Sequence, residues 1–311
     1  MSFFSVIIPL YNKEKYVLNT IKSVLNQSFQ DFEIIIVDDG STDQSLQVIN
    51  SVNNPKITII QQKNQGASIA RNNAIQASKG NYIATLDADD LWENNHLLEL
   101  KKCINACPEA VLYCTNYNIK RHDGFITKSK FNFNYEDTCL IVKDFFKANI
   151  INFIPTSSSV AFKKEDFLKI NGYNTKLRTG QDIDLWIKFG LIGQIAFNPK
   201  VTMLYNYFDQ SSLSNKNYNE DRLLLINNYK SEEKNNASLK LYLDINRYAL
   251  VIRHKLLKQI TEAKTVKKDI NLNNLNFKQK VLVHLPASML ISLKKLHGFL
   301  IKNNIYLSAF K

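Results

Sequence analysis

Long apolar runs are missing from this chain of 311 residues: nowhere do about 18 hydrophobic residues follow one another, the length that a membrane-crossing helix needs. The opening Met1-Ser2-Phe3-Phe4-Ser5-Val6 has neither the basic region nor the cleavage pattern of a secretory signal. The expectation is a chain that stays on the cytosolic side. Cysteine is sparse, and Cys103, Cys107, Cys114 and Cys139 form no double pair at zinc spacing, so each reads as a buried, reduced thiol and a disulfide scaffold is excluded. Glycine occurs 9 times and proline 6 times, which excludes collagen-like composition. His96, His122, His254, His284 and His297 show no metal spacing and no adjacent nucleophile motif, and read as structural or surface residues. Repeats and low-complexity tracts are absent as well. With 45% hydrophobic and 22% charged residues, what is there is a folded globular protein of one large domain or two modest ones.

The charge is unevenly placed. The whole chain carries +12, but residues 216–311 hold 18 Lys or Arg against 7 Asp or Glu, leaving 22 against 21 for residues 1–215. A basic patch confined to one end seeks nucleic acid, an anionic membrane surface or a phosphorylated partner. Nucleic acid fits poorly, because the charge avoids the motif-bearing part and no motif with stacking aromatics accompanies it.

Over the first hundred residues, short apolar runs alternate with helix-period segments, the pattern of βα units on a mainly parallel sheet. Phe4 to Pro9, Phe32 to Val37, Ile57 to Gln61 and Tyr82 to Leu86 read as strands, and Val17, Leu18, Ile21, Val24 and Leu25 as one face of a helix. A second helix is expected near Leu46 to Val52, and a third from Ala67, ended by Gly80. Further on, strands are expected at Val111 to Asn118 and Ser158 to Phe162, a short helix at Asp182 to Phe189, and an edge strand at Ile195 to Phe197 stopped by Pro199. Beyond about residue 215, Leu, Ile, Lys and Asn dominate in helical periods. The organisation expected is an α/β domain over 1–215, with a first half over 1–92 and a second over 93–215, followed by a basic, mainly helical region over 216–311.

Three places hold chemistry. Asp87 and Asp89, with Asp90 alongside, sit at the carboxyl end of a buried strand, where open α/β sheets bind ligands and where clustered carboxylates repel unless something positive intervenes. A divalent cation such as magnesium or manganese would supply that charge, using one or two carboxylates and a substrate diphosphate; the alternative is an acidic turn with Asp90 capping the next helix. Asp38-Asp39-Gly40-Ser41-Thr42-Asp43 closes the second strand, either to receive a base or ribose or as an Asx turn with capping. Arg71, on the helix after Gly66-Ala67-Ser68, is either a phosphate fork or solvated surface.

Taken together, Val6-Ile7-Ile8-Pro9-Leu10-Tyr11-Asn12, Val37-Asp38-Asp39-Gly40-Ser41-Thr42-Asp43, Gly66-Ala67-Ser68-Ile69-Ala70-Arg71-Asn72 and Leu86-Asp87-Ala88-Asp89-Asp90 make residues 1–92 resemble the nucleotide-binding half of the inverting glycosyltransferases of family 2, which have the GT-A fold. The resemblance implies that Pro9, Tyr11 and Asp39 line the base and ribose pocket, that Arg71 approaches the nucleotide, and that Asp87 and Asp89 form the metal-diphosphate signature, with Asp89 in direct contact with Mn2+ or Mg2+. It continues more weakly to about Ser214. There Gly172-Tyr173-Asn174 and Gly180-Gln181-Asp182-Ile183-Asp184 place Asp182 at the position of the base that deprotonates the acceptor hydroxyl. Gln181 stands where Glu is usual, removing a like charge that would raise the pKa of Asp182. Tyr207 and Asp209 stand where the family often has Arg and a metal-binding His, and Asp209 still offers an oxygen to a cation.

The implied activity is metal-assisted, inverting transfer of a sugar from a nucleotide-diphosphate sugar, most simply a UDP-sugar, to a glycan or lipid-linked glycan acceptor in bacterial polysaccharide synthesis. The rival of the same fold is a sugar-nucleotide-binding or scaffold protein without catalysis. No Gln-x-x-Arg-Trp motif of processive synthases occurs. In the last third, Val281 to Phe299 interleaves Leu282, Leu285, Met289, Leu290, Leu293 and Leu296 with Lys294 and Lys295, broken by Pro286. Such a segment either lies in the interface of an anionic membrane, making the protein peripheral to the inner face, or packs on the rest of the chain.

Overall fold

The computed structural model describes residues 2–120, 124–206 and 218–302, which divide into two compact units. The first comprises Met1–Ala148 and Asn152–Lys216, the second Asn149–Ile151 and Asn217–Lys311.

The first unit opens with β1 (Phe4–Leu10), α1 (Val17–Leu25), β2 (Phe32–Asp38), α2 (Ser45–Asn50), β3 (Ile57–Gln61), α3 (Ala67–Ala77) and β4 (Tyr82–Thr85). In β2, Ile34 to Val37 are wholly buried because helices cover both faces of a parallel sheet, so strict alternation is replaced by a continuous β-branched run. Each such side chain contributes about 1.5–3 kcal/mol through burial. On α1, Val17, Ile21 and Val24 recur on one face and are fully buried.

Next come β5 (Leu91–Trp92), α4 (His96–Ala106), β6 (Ala110–Lys120), β7 (Ile126–Lys128), β8 (Leu140–Ile141), α5 (Phe145–Ala148), β9 (Val160–Lys163), α6 (Lys164–Lys169), α7 (Gln181–Ile192) and β10 (Gln194–Asn206). The main strand order is β3-β2-β1-β4-β9-β6-β10-β5, with β7 beside β6 and β8 beside β10. The sheet is mixed: β1 to β4 and the pair β6–β10 run parallel, while β9 lies antiparallel between β4 and β6. Because β1 has β2 on one side and β4 on the other, the chain leaves it in opposite directions, and the carboxyl ends of β1, β2 and β4 open a crevice at this switch point.

Some local expectations are corrected. The third helix ends at Ala77, not at Gly80; Gly80 is needed because a β-carbon there would lie 2.7 Å from the Ser5 backbone nitrogen of β1. Pro199 does not stop a strand. β10 runs through it for 13 residues in the interior of the sheet, because the register shifts between Asn198 and Val201, where a missing N–H costs no ladder bond. Asp90 caps no helix, since β5 follows it and α4 begins at His96 after Asn95. Cys103, Cys107 and Cys114 are buried thiols, but Cys139 is only half-buried.

The second unit is helical: α8 (Asn219–Asn227), α9 (Ala237–Leu256), α10 (Ile260–Lys268), α11 (Phe277–His284) and α12 (Ala287–Lys302). Pro286 separates the last two. The long α9 is capped by Asn236, which accepts from the Leu239 N–H at 2.9 Å, and it buries Leu239, Leu243, Leu250 and Val251. Inside it, Arg247 is held by Glu233 at 2.7 Å and Asp244 at 2.9 Å. Among the described residues no helix is long and apolar enough to cross a membrane.

Candidate active site

The loop after β1 and the loop after β2 are tied together by short polar side chains. Asn12, at φ 52°, accepts from the Thr42 N–H at 2.7 Å and donates its own N–H to Ser41 Oγ at 3.1 Å. Asp43 Oδ2 accepts from the Glu14 N–H, and Ser45 Oγ from the Lys13 N–H. These bonds fix the rim on which Tyr11 stands, 46% exposed just past the end of β1 and two residues after Pro9.

Asp39 is buried, and its carboxylate accepts from Gln62 Nε2 at 2.7 Å, the Gln65 N–H at 2.8 Å and the Gly66 N–H at 2.8 Å. The anion therefore sits at the amino end of α3, the favourable end of the helix dipole. Gly66 takes φ 91°, a conformation that other residues adopt with strain. Three bonds leave a carboxylate room for about one more.

Arg71 is not solvated surface. It lies 4% exposed on α3, bonds Asp87 Oδ1 through Nη2, and stands 5.4 Å from the Tyr173 ring centroid. Its Nε and Nη1 are buried with no hydrogen-bond partner. Burial would lower its pKa, but Asp87 and the hydrogen bond to it raise the pKa, so the guanidinium stays charged. The next residue, Asn72, accepts from the Tyr173 N–H at 3.1 Å and donates to the Tyr173 carbonyl at 3.0 Å, fixing the aromatic turn under Arg71.

The acidic turn after β4 is neutralised from within the protein. Lys13 Nζ lies 2.8 Å from Asp89 Oδ2, and Arg71 holds Asp87. Asp90 is buried; its Oδ2 accepts from Ser158 Oγ at 2.6 Å and its Oδ1 from the Asn206 N–H at 2.9 Å. Burial, then Asp89 and Asp87, push its pKa well above the ordinary carboxylate range. Asp90→Ala is therefore expected to cost about 2–4 kcal/mol by leaving the buried Ser158 hydroxyl and the half-buried Asn206 N–H unpaired, read by urea unfolding. Because its folded-state pKa is raised, the folded chain binds the proton more tightly, and Asp90 lowers stability as pH rises from the ordinary carboxylate range to that pKa. Asp90→Asn is expected to remove that part of the decline.

Asp182 lies half-buried in the first turn of α7, which starts after Gly180 at φ 77°. Burial raises its pKa, the Ile183 N–H at 2.9 Å and Arg71 lower it, Asp87 raises it further, and the net direction is upward. Gln181 Oε1 beside it is buried without a partner. Tyr205 of β10 feels the same carboxylates: burial, then Asp90, Asp87, Asp182 and Asp89, push its phenol upward. The structure thus brings Arg71, Asp87, Asp89 and Asp182 into one electrostatic neighbourhood, with Asp39 bracing its edge. Asp209 lies outside the described residues. Among those described, no three His, Cys, Asp or Glu side chains form a group that could hold a metal ion. His96 is structural, stacked on Trp92 at 4.1 Å and held neutral, its pKa lowered by burial to about 3.

Sequence reasoning missed Lys13, Asn72 and Tyr173 as site residues. Lys13 directly follows the Pro9-Leu10-Tyr11-Asn12 text and Asn72 directly follows Arg71, so adjacency was the available signal.

Residues 5–170 match the model of glycosyl transferase family 2. The chain belongs to that family. It is 31% identical over 218 residues to TuaG of Bacillus subtilis, a glycosyltransferase named for teichuronic acid biosynthesis, covering 68% of this chain and 82% of TuaG. It is 30% identical to the chondroitin synthase of Pasteurella multocida, over 68% of this chain but 21% of that protein, so it spans about a fifth of that relative's length. The fold is similar to that of S. aureus TarS 1-349 in complex with UDP-GlcNAc, with a TM-score of 0.68 at 18% identity, over 99% of this chain and 93% of TarS 1-349. The likeness places the first unit in the GT-A class.

Proposed function

We propose that this chain is an inverting glycosyltransferase that moves a sugar from a UDP-sugar to a hydroxyl of a glycan or lipid-linked glycan during assembly of a bacterial polysaccharide. The observation that carries the reading is Arg71: a buried, charged guanidinium that spends one nitrogen on Asp87 and holds two more nitrogens, Nε and Nη1, without protein partners. A diphosphate supplies the acceptors such a fork requires. The donor class is supported by the similarity in fold to a protein solved with UDP-GlcNAc, and the polysaccharide context by relatives named for chondroitin and teichuronic acid.

In this reading residues 1–92 bind the donor and 93–215 the acceptor. Tyr11 and Pro9 receive the base, Asp39 gives its remaining acceptor capacity to base or ribose, and Arg71 grips the diphosphate. Asp182 takes the proton of the acceptor hydroxyl as its oxygen attacks the anomeric carbon opposite the diphosphate, whose bond to that carbon breaks. Attack is direct, so the anomeric configuration inverts and no covalent sugar intermediate forms.

Divalent cations are typical of the family. Asp87 and Asp89 are matched by two protein cations, Arg71 and Lys13, and Asp182 adds a further carboxylate to the neighbourhood, which accords with one more positive ion once a diphosphate is bound. Asp89, with Asp87 beside it, would hold Mn2+ or Mg2+ together with substrate phosphates, the usual mode for a hard cation without a full protein cage. Such an ion would stabilise charge on the departing diphosphate. Asp209 is a further candidate oxygen.

The test is calorimetric titration of UDP, GDP, CDP and dTDP and their sugars, with and without Mn2+, followed by NMR of the product's anomeric configuration. Binding of UDP that depends on Mn2+ and disappears in Asp89→Ala is the expected result. Failure of every nucleotide to bind would overturn the reading in favour of a scaffold without catalysis, for which Gln181 in place of an acid is the relevant feature. Lys13 competes for Asp89, so Lys13→Met is expected to tighten Mn2+ binding by about five- to tenfold in the absence of nucleotide, read by electron paramagnetic resonance of free Mn2+.

A further inference from the structure

Two helices of the second unit share a pattern that sugar transfer does not use. On α11, Phe277, Val281 and His284 are exposed at i, i+4 and i+7, while Gln279 and Val283 are buried. On α12, Met289, Leu293 and Leu296 repeat that spacing and that exposure, with Leu290 buried. At 3.6 residues per turn each set occupies about 60° of its helix. Phe277, 81% exposed, is the most exposed large hydrophobic residue among those described. Isolated exposed apolar side chains are ordinary, but rows of them recurring on successive helices mark an interaction surface.

The charge within this segment has one sign. From Ile270 to Lys311 the sequence contains Lys278, Lys280, Lys294, Lys295, Lys302 and Lys311 and no Asp or Glu. Lys278, Lys294 and Lys295 are exposed on the same two helices as the apolar rows.

We propose that the exposed rows of α11 and α12 dock on a lipid bilayer surface rich in anionic headgroups. Phe277, Val281, Met289, Leu293 and Leu296 enter the boundary between headgroups and acyl chains, and the lysines reach the headgroup phosphates while their stems cover apolar surface. The charge decides the occupant. A second copy would oppose one acid-free, lysine-bearing segment to another, whereas a bilayer offers an apolar layer and negative charge at once. With no described helix able to span, the chain lies on the membrane through these helices. This inference does not rest on the catalytic reading.

The experiment is co-sedimentation of the full chain with vesicles of phosphatidylcholine alone and of phosphatidylcholine with phosphatidylglycerol. Binding to the anionic vesicles at least tenfold stronger, and weakening as salt rises, is expected. Phe277→Ser combined with Leu293→Ser, and separately Lys294→Gln combined with Lys295→Gln, are each expected to lower partitioning by about tenfold. The melting temperature should stay unchanged, because all four side chains are exposed. Absence of binding to anionic vesicles, or equal binding to both kinds, would overturn the proposal. So would a dimer by light scattering that Phe277→Ser dissociates, which would assign the face to a second copy.

Discussion

Asp182→Asn is expected to lower kcat by about 10²- to 10⁴-fold while nucleotide affinity stays within about twofold, measured by single-turnover transfer and calorimetry on the same preparation. The substitution keeps the shape of the side chain and the position after Gly180, and removes the one property the proposed role requires, the ability to take a proton. The pH profile adds a second readout. A base works when deprotonated, so the rate falls as pH drops through its pKa. Burial sets that pKa above the ordinary aspartate range, and Arg71 limits the rise. The acid limb of kcat/KM is therefore expected above that range. Gln181→Glu, which restores a neighbouring negative charge, is expected to move the limb to higher pH still. A flat profile in the acid range, or full activity in Asp182→Asn, would remove Asp182 from the chemistry.

Arg71→Lys is expected to weaken UDP binding by about 30- to 100-fold. The two nitrogens without protein partners, Nε and Nη1, each making a charge-assisted bond to a phosphate oxygen, represent roughly 2–3 kcal/mol together once the cost of removing phosphate and guanidinium from water is included. Lysine keeps the charge and the pairing with Asp87, but its single ammonium cannot reproduce a planar fork, which makes this variant more informative than alanine. Alanine would also leave Asp87 without its cation, mixing loss of binding with loss of the ion pair. Equal nucleotide affinity in Arg71→Lys would mean that the guanidinium serves to anchor Asp87 and Tyr173 and does not meet the diphosphate.

Legibility differed between residues for physical reasons. The strands β1 to β4 were readable because a sheet covered on both faces demands unbroken β-branched runs, and that demand is local. Helices α1 and α3 were readable from period and from Gly66. The length of β10 was not, since Pro199 is tolerated by a shift in register against β6 that no single strand encodes. The same holds for the site. Asp87, Asp89 and Asp90 could be picked out as acids at a strand end, but the state of each depends on partners far away in sequence: Lys13 for Asp89, Arg71 for Asp87, Ser158 and Asn206 for Asp90. Arg71 looked like a surface residue from its helix alone; Tyr173 and Asp87, brought from two other parts of the chain, bury it.

What the sequence determined by itself is the βα order, the four ordered motifs that mark the family, the acids at the carboxyl ends of strands, and the gathering of positive charge in the last third. All of these follow from residue type and short-range spacing. Tertiary structure alone decided which carboxylates are paired and which have raised pKa values, that Arg71 keeps two nitrogens without protein partners, and that Phe277, Val281, Met289, Leu293 and Leu296 of α11 and α12 face outward. Burial, ion pairing and dielectric environment are properties of neighbours in space, and those neighbours meet once the sheet and helices have packed.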